Sequence, residues 1–208
     1  MILTPIPSDR LASALDCFAG QLDDPAAQAA FARIRATASE RAEGAVTEAH
    51  RQAALALARS CGMAIHPAGT RPAFNWDGAA LDGDTEAYVI LHEAAHFVLA
   101  PPERRSLIDF GVGAGPDTTD RATADHAAVL STIEREIDEA KASLLGILWE
   151  AALGQPALAS FLDQNWLEAL QRSAAPHFTA VVRQLGLVDR GPALPDPGEF
   201  QRSAREMR

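Results

Sequence analysis

The sequence predicts a mainly α fold, an α+β arrangement whose β part is only a small sheet or hairpin near residues 63–76. Two patterns indicate this: apolar residues recur at helical spacing through most of the chain, and glycine and proline cluster in a few separate segments. The composition, 48% hydrophobic and 22% charged over 208 residues, is that of an ordinary globular protein with room for one substantial core.

Residues 8–60 are predicted to form helices whose role is packing. Their apolar side chains recur every three or four residues, which places them on one face of a helix. Asp23, Asp24 and Pro25 give the second helix an acidic start and a first-turn proline. The apolar stripes are Leu11, Leu15, Phe18 and Leu22; then Phe31, Ile34 and Ala38; then residues 53–58.

Later elements follow from the same signals. Residues 62–84 carry frequent glycine and proline and are expected to form loops at the lip of a cleft. Residues 87–100 are typical of a buried helix, which two prolines then terminate. A glycine-rich break over residues 111–117 lacks the Gly-Lys-Ser/Thr ending of a phosphate loop. The remaining predicted helices cover residues 123–153, 157–170 and 175–185.

The helix over residues 87–100 contains the motif His-Glu-Ala-Ala-His at 92–96. Residues i and i+4 share one helical face, so His92 and His96 can bind one metal ion while Glu93 points beside it. Two imidazoles and a carboxylate within an apolar helix have few structural uses without a metal. The motif therefore predicts a metal site, and the alternative is a pair of core histidines with satisfied hydrogen bonds.

A third protein ligand is expected, because two histidines alone hold an ion weakly. The acidic segment 134–141 of the downstream helix is the place to look, since that helix can pack across the first. Glu136 and Glu139 lie three residues apart on one side of it, and both are candidates by spacing.

Further residues match a known pattern at fixed intervals from this motif. An aromatic residue, an Arg-Arg pair, Asp-Phe-Gly, Pro-Asp, Glu-x-Lys, Gly and Pro follow it in that order. In this chain they are Phe97, Arg104-Arg105, Asp109-Phe110-Gly111, Pro116-Asp117, Glu139-Ala140-Lys141, Gly154 and Pro156. Over residues 64–156 the sequence thus resembles the bacterial elongation factor P hydroxylases.

The resemblance implies a zincin-like helical scaffold with a metal centre of His92, His96 and Glu139, which selects Glu139 over Glu136. It also implies the family's reaction, the oxygen-dependent hydroxylation of a modified lysine. The family has aromatic residues after Asp-Phe-Gly and Gly-Arg after Pro-Asp, whereas this chain has residues 112–114, Val-Gly-Ala, and 118–119, Thr-Thr. We therefore expect a different substrate, a small molecule or a protein side chain.

Two reactions fit the predicted centre. In a non-haem Fe(II) oxygenase, O2 and substrate would use the open metal positions, and Glu93 would accept a hydrogen bond from bound water or move protons. In a zinc-dependent metallopeptidase or hydrolase, Glu93 would be the general base. Spacing does not choose the metal, and the family resemblance favours iron. A purely structural metal is disfavoured, because no fourth ligand of comparable quality is apparent.

Supporting roles are expected for several other residues. Asp109 either accepts a hydrogen bond from a ligand imidazole or caps or pairs with Arg104 or Arg105. His66 lies in the expected cleft lip and is a candidate for substrate contact, although a single histidine is more often a surface or satisfied residue. Trp76 either lines the pocket or serves packing.

We expect one metal-binding domain over residues 1–190. Within it, residues 1–62 form a helical N-terminal extension, 63–156 the core with the metal site and 157–190 the C-terminal helices. Residues 191–208 form a proline-rich tail that we expect to be mobile or draped over the surface.

The charge and cysteine content narrow the partners. A net charge of -10 with a single lysine disfavours nucleic-acid binding. Neither a spanning apolar run nor a secretory signal is apparent, so we expect a cytoplasmic protein without a membrane partner. Cys17 and Cys61 are interpreted as small buried apolar residues rather than as ligands or a disulfide. The oligomeric state is left open.

Overall fold

The computed structural model describes residues 6–115, 118–167 and 173–186, and they are mainly helical with a small sheet, as the sequence predicts. No helix among them is long and apolar enough to cross a membrane. The helices are α1 (Ser8–Gly20), α2 (Pro25–Arg35), α3 (Ala45–Ser60), α4 (Ala87–Leu99), α5 (Pro102–Arg105), α6 (Arg121–Ala127), α7 (Thr132–Ala152), α8 (Ala157–Asp163) and α9 (Ala174–Gln184), with a 3-10 turn at Ile108–Gly111.

The sheet consists of two short parallel strands, β1 (Ala64–Ile65) and β2 (Ala80–Leu81). Ala64 pairs with Ala80, so only the first strand lies within the predicted segment 63–76. The pair is not a hairpin, because parallel strands need a crossover connection rather than a tight turn. The glycine and proline residues correctly indicated an irregular segment over residues 62–84. They did not indicate that its two ends pair as parallel strands.

The long helix predicted over residues 123–153 is two helices, and this expectation was wrong. Helix α6 ends at Ala127, and α7 begins after Ser131. Ser131 and Glu134 form a capping box: the Ser131 hydroxyl accepts from the Glu134 backbone N–H, and the Glu134 carboxylate accepts from the Ser131 N–H at 2.9 Å. Because these side chains satisfy the first N–H groups of α7, the helix starts there rather than continuing from α6.

The C-terminal helices differ less from expectation. Helix α8 ends at Asp163, earlier than predicted, and Asn165 follows with a left-handed backbone at φ 59°. The end of that predicted helix at residues 168–170 and the tail at 191–208 lie outside the described residues. Helix α9 agrees with the prediction to within one residue at each end. Cys61 is buried as expected, but Cys17 is exposed on α1.

An aromatic cluster joins the first and last helices. Phe18 of α1 has its ring centroid 4.7 Å from that of Phe31 in α2 and 5.6 Å from those of Phe161 in α8 and Phe178 in α9. Tilted and edge-on ring contacts of this kind stabilise a core beyond the area that they bury. The N-terminal helices therefore share one hydrophobic core with the rest of the domain.

Helix α4 packs between α3 and α7, and among the described elements its contact with α7 is the most extensive. Gly146 of α7 faces the backbone of His92 in α4. A Cβ atom placed on Gly146 would lie 3.2 Å from both the Cα and the N of His92. The absence of a side chain at this point lets the two helices approach closely enough to bring their polar side chains together.

Replacing Gly146 with alanine is therefore expected to lower the free energy of unfolding by about 1–3 kcal/mol, because the added methyl group overpacks the interface. In an unconstrained helix the same change stabilises by about 0.5–1 kcal/mol. Urea denaturation would measure the difference. Gly20→Ala is the matched control, since a Cβ at Gly20 meets nothing within 4 Å. Unchanged or increased stability of Gly146→Ala would contradict the close packing.

Candidate metal centre

Helix α4 places the motif residues. Its run of apolar residues buries most of the helix, and Glu93 and His96 are themselves buried. The one-turn separation of His92 and His96 brings their Nε2 atoms to 3.1 Å from each other. The helix ends at Leu99, two residues before the first of the two prolines that the sequence predicts as its stop.

Helix α7 supplies the third group, and it is Glu139. The Glu139 Oε2 lies 3.4 Å from the Nε2 of His92 and 3.6 Å from the Nε2 of His96. Glu136, one turn earlier, is exposed and is not part of this group. Spacing left both Glu136 and Glu139 open. The structure brings Glu139 next to the histidines, and Glu139 is the residue that the resemblance implies.

The donor set suits a divalent transition-metal ion. Two imidazole nitrogens and one carboxylate oxygen are the ligands that zinc and ferrous iron share. Ligand atoms bound at about 2.1 Å to one ion lie about 3.0–3.4 Å apart in octahedral or tetrahedral geometry. The three measured separations, 3.1, 3.4 and 3.6 Å, are close to these values. The group of His92, His96 and Glu139 can therefore hold a metal ion.

Asp138 orients His96, which is one of the two alternative roles predicted from the sequence for Asp109. The Oδ2 of Asp138 lies 2.9 Å from His96 Nδ1, while its Oδ1 accepts from the guanidinium of Arg104 at 2.7 Å. An imidazole fixed in this way directs its other nitrogen toward the metal position. Asp109 makes neither of its expected contacts in the described structure: its Oδ2 accepts from the Thr118 hydroxyl. The one sequence feature that could have indicated Asp138 is that it directly precedes Glu139.

Two opposing effects set the protonation of the ligand groups. Burial alone would lower the pKa of His96, but the carboxylates of Asp138 and Glu139 outweigh it and raise that pKa to about 10. Burial likewise disfavours the charge of Glu139, yet hydrogen bonds with His92 and His96 hold its pKa well below the usual value. A metal ion bound here would thus take the place of a proton between the same groups.

Glu93 lies in the same pocket and is protonated more readily than an ordinary glutamate. Burial raises its pKa, and the adjacent histidines only partly offset the effect. The side-chain amide of Asn75 donates to Glu93 Oε1 at 3.3 Å. Burial, with the nearby charge of Glu93, also raises the pKa of Asp109 to about 6. The pocket therefore contains two carboxyl groups that hold a proton more readily than ordinary carboxyl groups do.

The ring of Phe110 fixes the other face of the site. It stacks on His96 with ring centroids 5.6 Å apart, and on Trp76 at 5.4 Å. Trp76 is buried, and its Nε1 donates to the backbone oxygen of Arg105 at 2.8 Å, so it serves packing rather than lining the pocket. Arg105 also has a structural place, since its guanidinium donates to Ala100 O and lies over an aromatic ring.

The metal-ligand group opens into a pocket of about 270 Å³. His66 is not part of its wall, because its ring instead contacts the carboxylate of Asp77 at 2.8 Å. The sequence pattern did not indicate Tyr88 or Gln164, whose positions depend on the packing of separate elements. The lining residues are Asn75, Tyr88, Val89, His92, Glu93, His96, Asp109, Val112, Gly113, Gly115, Thr118, Glu139 and Gln164.

Comparison of the chain with family models, with curated proteins and with solved structures finds no match. The similarity to elongation factor P hydroxylases thus stays a prediction from the sequence motifs.

Removing any one of the three ligand groups is expected to abolish stoichiometric metal binding. His92→Ala, His96→Ala and Glu139→Ala should each reduce bound metal to background, because two remaining donors hold an ion weakly. Elemental analysis of anaerobically purified protein would measure it. Glu136→Ala is the control on the same helix and should retain the ion. Loss of metal in Glu136→Ala but not in Glu139→Ala would contradict the assignment.

Asp138→Asn is expected to weaken metal affinity about 10–100-fold while leaving all three donors in place. The amide cannot supply the charge that now orients and polarises His96. A competition titration with a chromophoric chelator would measure the affinity. Asp163→Asn removes the same charge at a position paired with Arg41, far along the sequence from the motif, and should bind normally. Equal affinities of the two variants would show that Asp138 has no part in metal binding.

Proposed function

We propose that this chain is a non-haem Fe(II)-dependent oxygenase that hydroxylates a small molecule or a protein side chain. The observation that carries the proposal is the meeting of His92, His96 and Glu139 in one pocket wall, with Glu93 beside them. Two histidines and one carboxylate on one side of an ion leave positions for both oxygen and substrate, the arrangement that non-haem iron oxygenases use.

The chain's own residues would hold the reactants and manage protons. Ferrous iron, when bound, would activate O2 for insertion of one oxygen atom into the substrate, and an external reductant such as ascorbate would supply the two electrons that convert the other oxygen atom to water. Asp138 and Phe110 keep the His96 ring fixed from its edge and its face. Because Asn75 donates to Oε1 of Glu93, the other carboxyl oxygen of Glu93 is the one placed to exchange a proton with a water or substrate in the pocket.

The pocket wall favours a substrate other than that of the family. Val112 and Gly113 follow the Asp-Phe-Gly segment, where the family has aromatic residues, and both line the pocket. Small side chains there leave volume that large rings would fill. This supports a bulkier or differently shaped substrate group than the one that the resemblance implies.

A zinc-dependent hydrolase is the second candidate, and one observation favours it. Burial raises the pKa of Glu93, which suits a general base that takes a proton from metal-bound water. The described sheet argues against peptides as its substrates. Strands β1 and β2 have two residues each, too few to align an extended peptide as an added strand.

Incorporation of isotopically heavy oxygen tests the choice. Protein reconstituted anaerobically with Fe(II) would be mixed with a small-molecule and peptide extract, ascorbate and labelled O2, and the products examined by mass spectrometry. Label should enter a product only with the iron-loaded protein. Glu93→Gln should retain iron and lose at least about 100-fold of the rate. Glu136→Gln, which removes one exposed charge, should remain active.

The same protein loaded with zinc provides the opposing test. Under anaerobic conditions an oxygenase should leave the extract unchanged. Zinc-dependent hydrolysis without oxygen, abolished by Glu93→Gln, would overturn the oxygenase proposal in favour of the hydrolase.

A further inference from the structure

One buried acceptor atom of a residue that lines the pocket has no partner within the described protein. Asp109 is nine-tenths buried, and its Oδ1 accepts no hydrogen bond. Buried carboxylate oxygens in folded proteins almost always have a donor, because an unpaired one has lost its water without replacement. Arg104 and Gln155 also have a buried atom without a partner, but neither residue lines this pocket.

The backbone at Asp109 is held in an uncommon conformation. Asp109 and Phe110 have φ values of 43° and 56°, two successive left-handed residues that are not glycine. Such residues persist where the surrounding structure enforces them, and they cluster at functional sites. Here the turn places the Phe110 ring against His96 and the Asp109 carboxylate in the wall of the pocket.

The other carboxylate oxygen of Asp109, Oδ2, already accepts a hydrogen bond within the protein. The Thr118 hydroxyl donates to Asp109 Oδ2 at 3.1 Å and accepts from the Gly115 N–H at 3.0 Å. The Asp109 backbone N–H donates to Trp76 O at 2.9 Å. These contacts fix the orientation of the carboxylate before any ligand arrives, and Oδ1 is the atom left to accept a hydrogen bond.

We propose that Asp109 Oδ1 anchors the substrate by accepting a hydrogen bond from one of its N–H or O–H groups. This inference rests on the proposed function, because it places the anchored group in the same pocket as the metal ligands. The substrate class is thereby narrowed to molecules that carry such a donor close to the reacting carbon. A hydrocarbon, ether or fully alkylated amine would leave Oδ1 unpaired and bind poorly.

A pair of small metal chelators tests the anchor without knowledge of the substrate. Acetohydroxamic acid carries an N–H group, and N-methylacetohydroxamic acid has a methyl group in its place. Zinc-loaded protein at about pH 8, where Asp109 is ionised, would be titrated with each by calorimetry. The preference is the ratio of the affinity for acetohydroxamic acid to the affinity for its N-methyl analogue. We expect this ratio to be about tenfold larger for the wild type than for Asp109→Asn.

Asp109→Asn is informative because the change is isosteric. Its carbonyl oxygen can keep the Thr118 hydroxyl, which turns the amide N–H group toward the position of Oδ1 and opposes a donor there. A preference caused only by the size of the methyl group would persist in this variant. Glu136→Gln, which also removes one negative charge, is the control and should keep the wild-type preference.

The outcomes separate the two levels of inference. Hydroxamates that bind equally well to the wild type, or a preference that survives in Asp109→Asn, overturn the anchor while leaving the metal centre in place. Binding of neither hydroxamate, with no retained zinc, overturns the proposed function and the anchor together. If Asp109→Asn does not fold, Thr118→Val replaces it. Loss of the hydrogen bond from the Thr118 hydroxyl to Oδ2 should reduce the preference for the N–H compound. An unchanged preference would overturn the anchor.

Discussion

The close approach of α7 to α4 is the constraint on which the candidate centre depends. Gly146 has no side chain where it faces the His92 backbone, so the two helices pack at a short distance. That distance lets Asp138 and Glu139, neighbours on α7, reach the two imidazoles of α4 from different sides.

The charges at this contact explain why the site needs a positive centre. Glu139, Glu93 and Asp138 place three carboxyl groups around His96. The guanidinium of Arg104 compensates Asp138, whereas the groups paired with Glu139 among the described residues are the two imidazoles. In the protein as described, a proton on His96 supplies the balance, and a divalent ion would supply more of it.

The sequence predicted what depends on local spacing and missed what depends on packing. The motif helix and its two histidines were predictable, because their relation is set within one turn. Glu139 required the family resemblance, since spacing alone allowed Glu136 as well. Asp138 was missed because its direction depends on how α7 is rotated against α4. The break before α7 had a local signal, Ser131 followed by Glu134, but the apolar periodicity on either side obscured it.

The two histidines of the motif are unequal partners. His96 is held at its edge by Asp138 and at its face by Phe110, and its side chain is 4% exposed, whereas that of His92 is 23% exposed. Glu139 is 41% exposed. An ion that bound here from solvent would therefore meet the more exposed His92 and Glu139 first and the buried imidazole of His96 last.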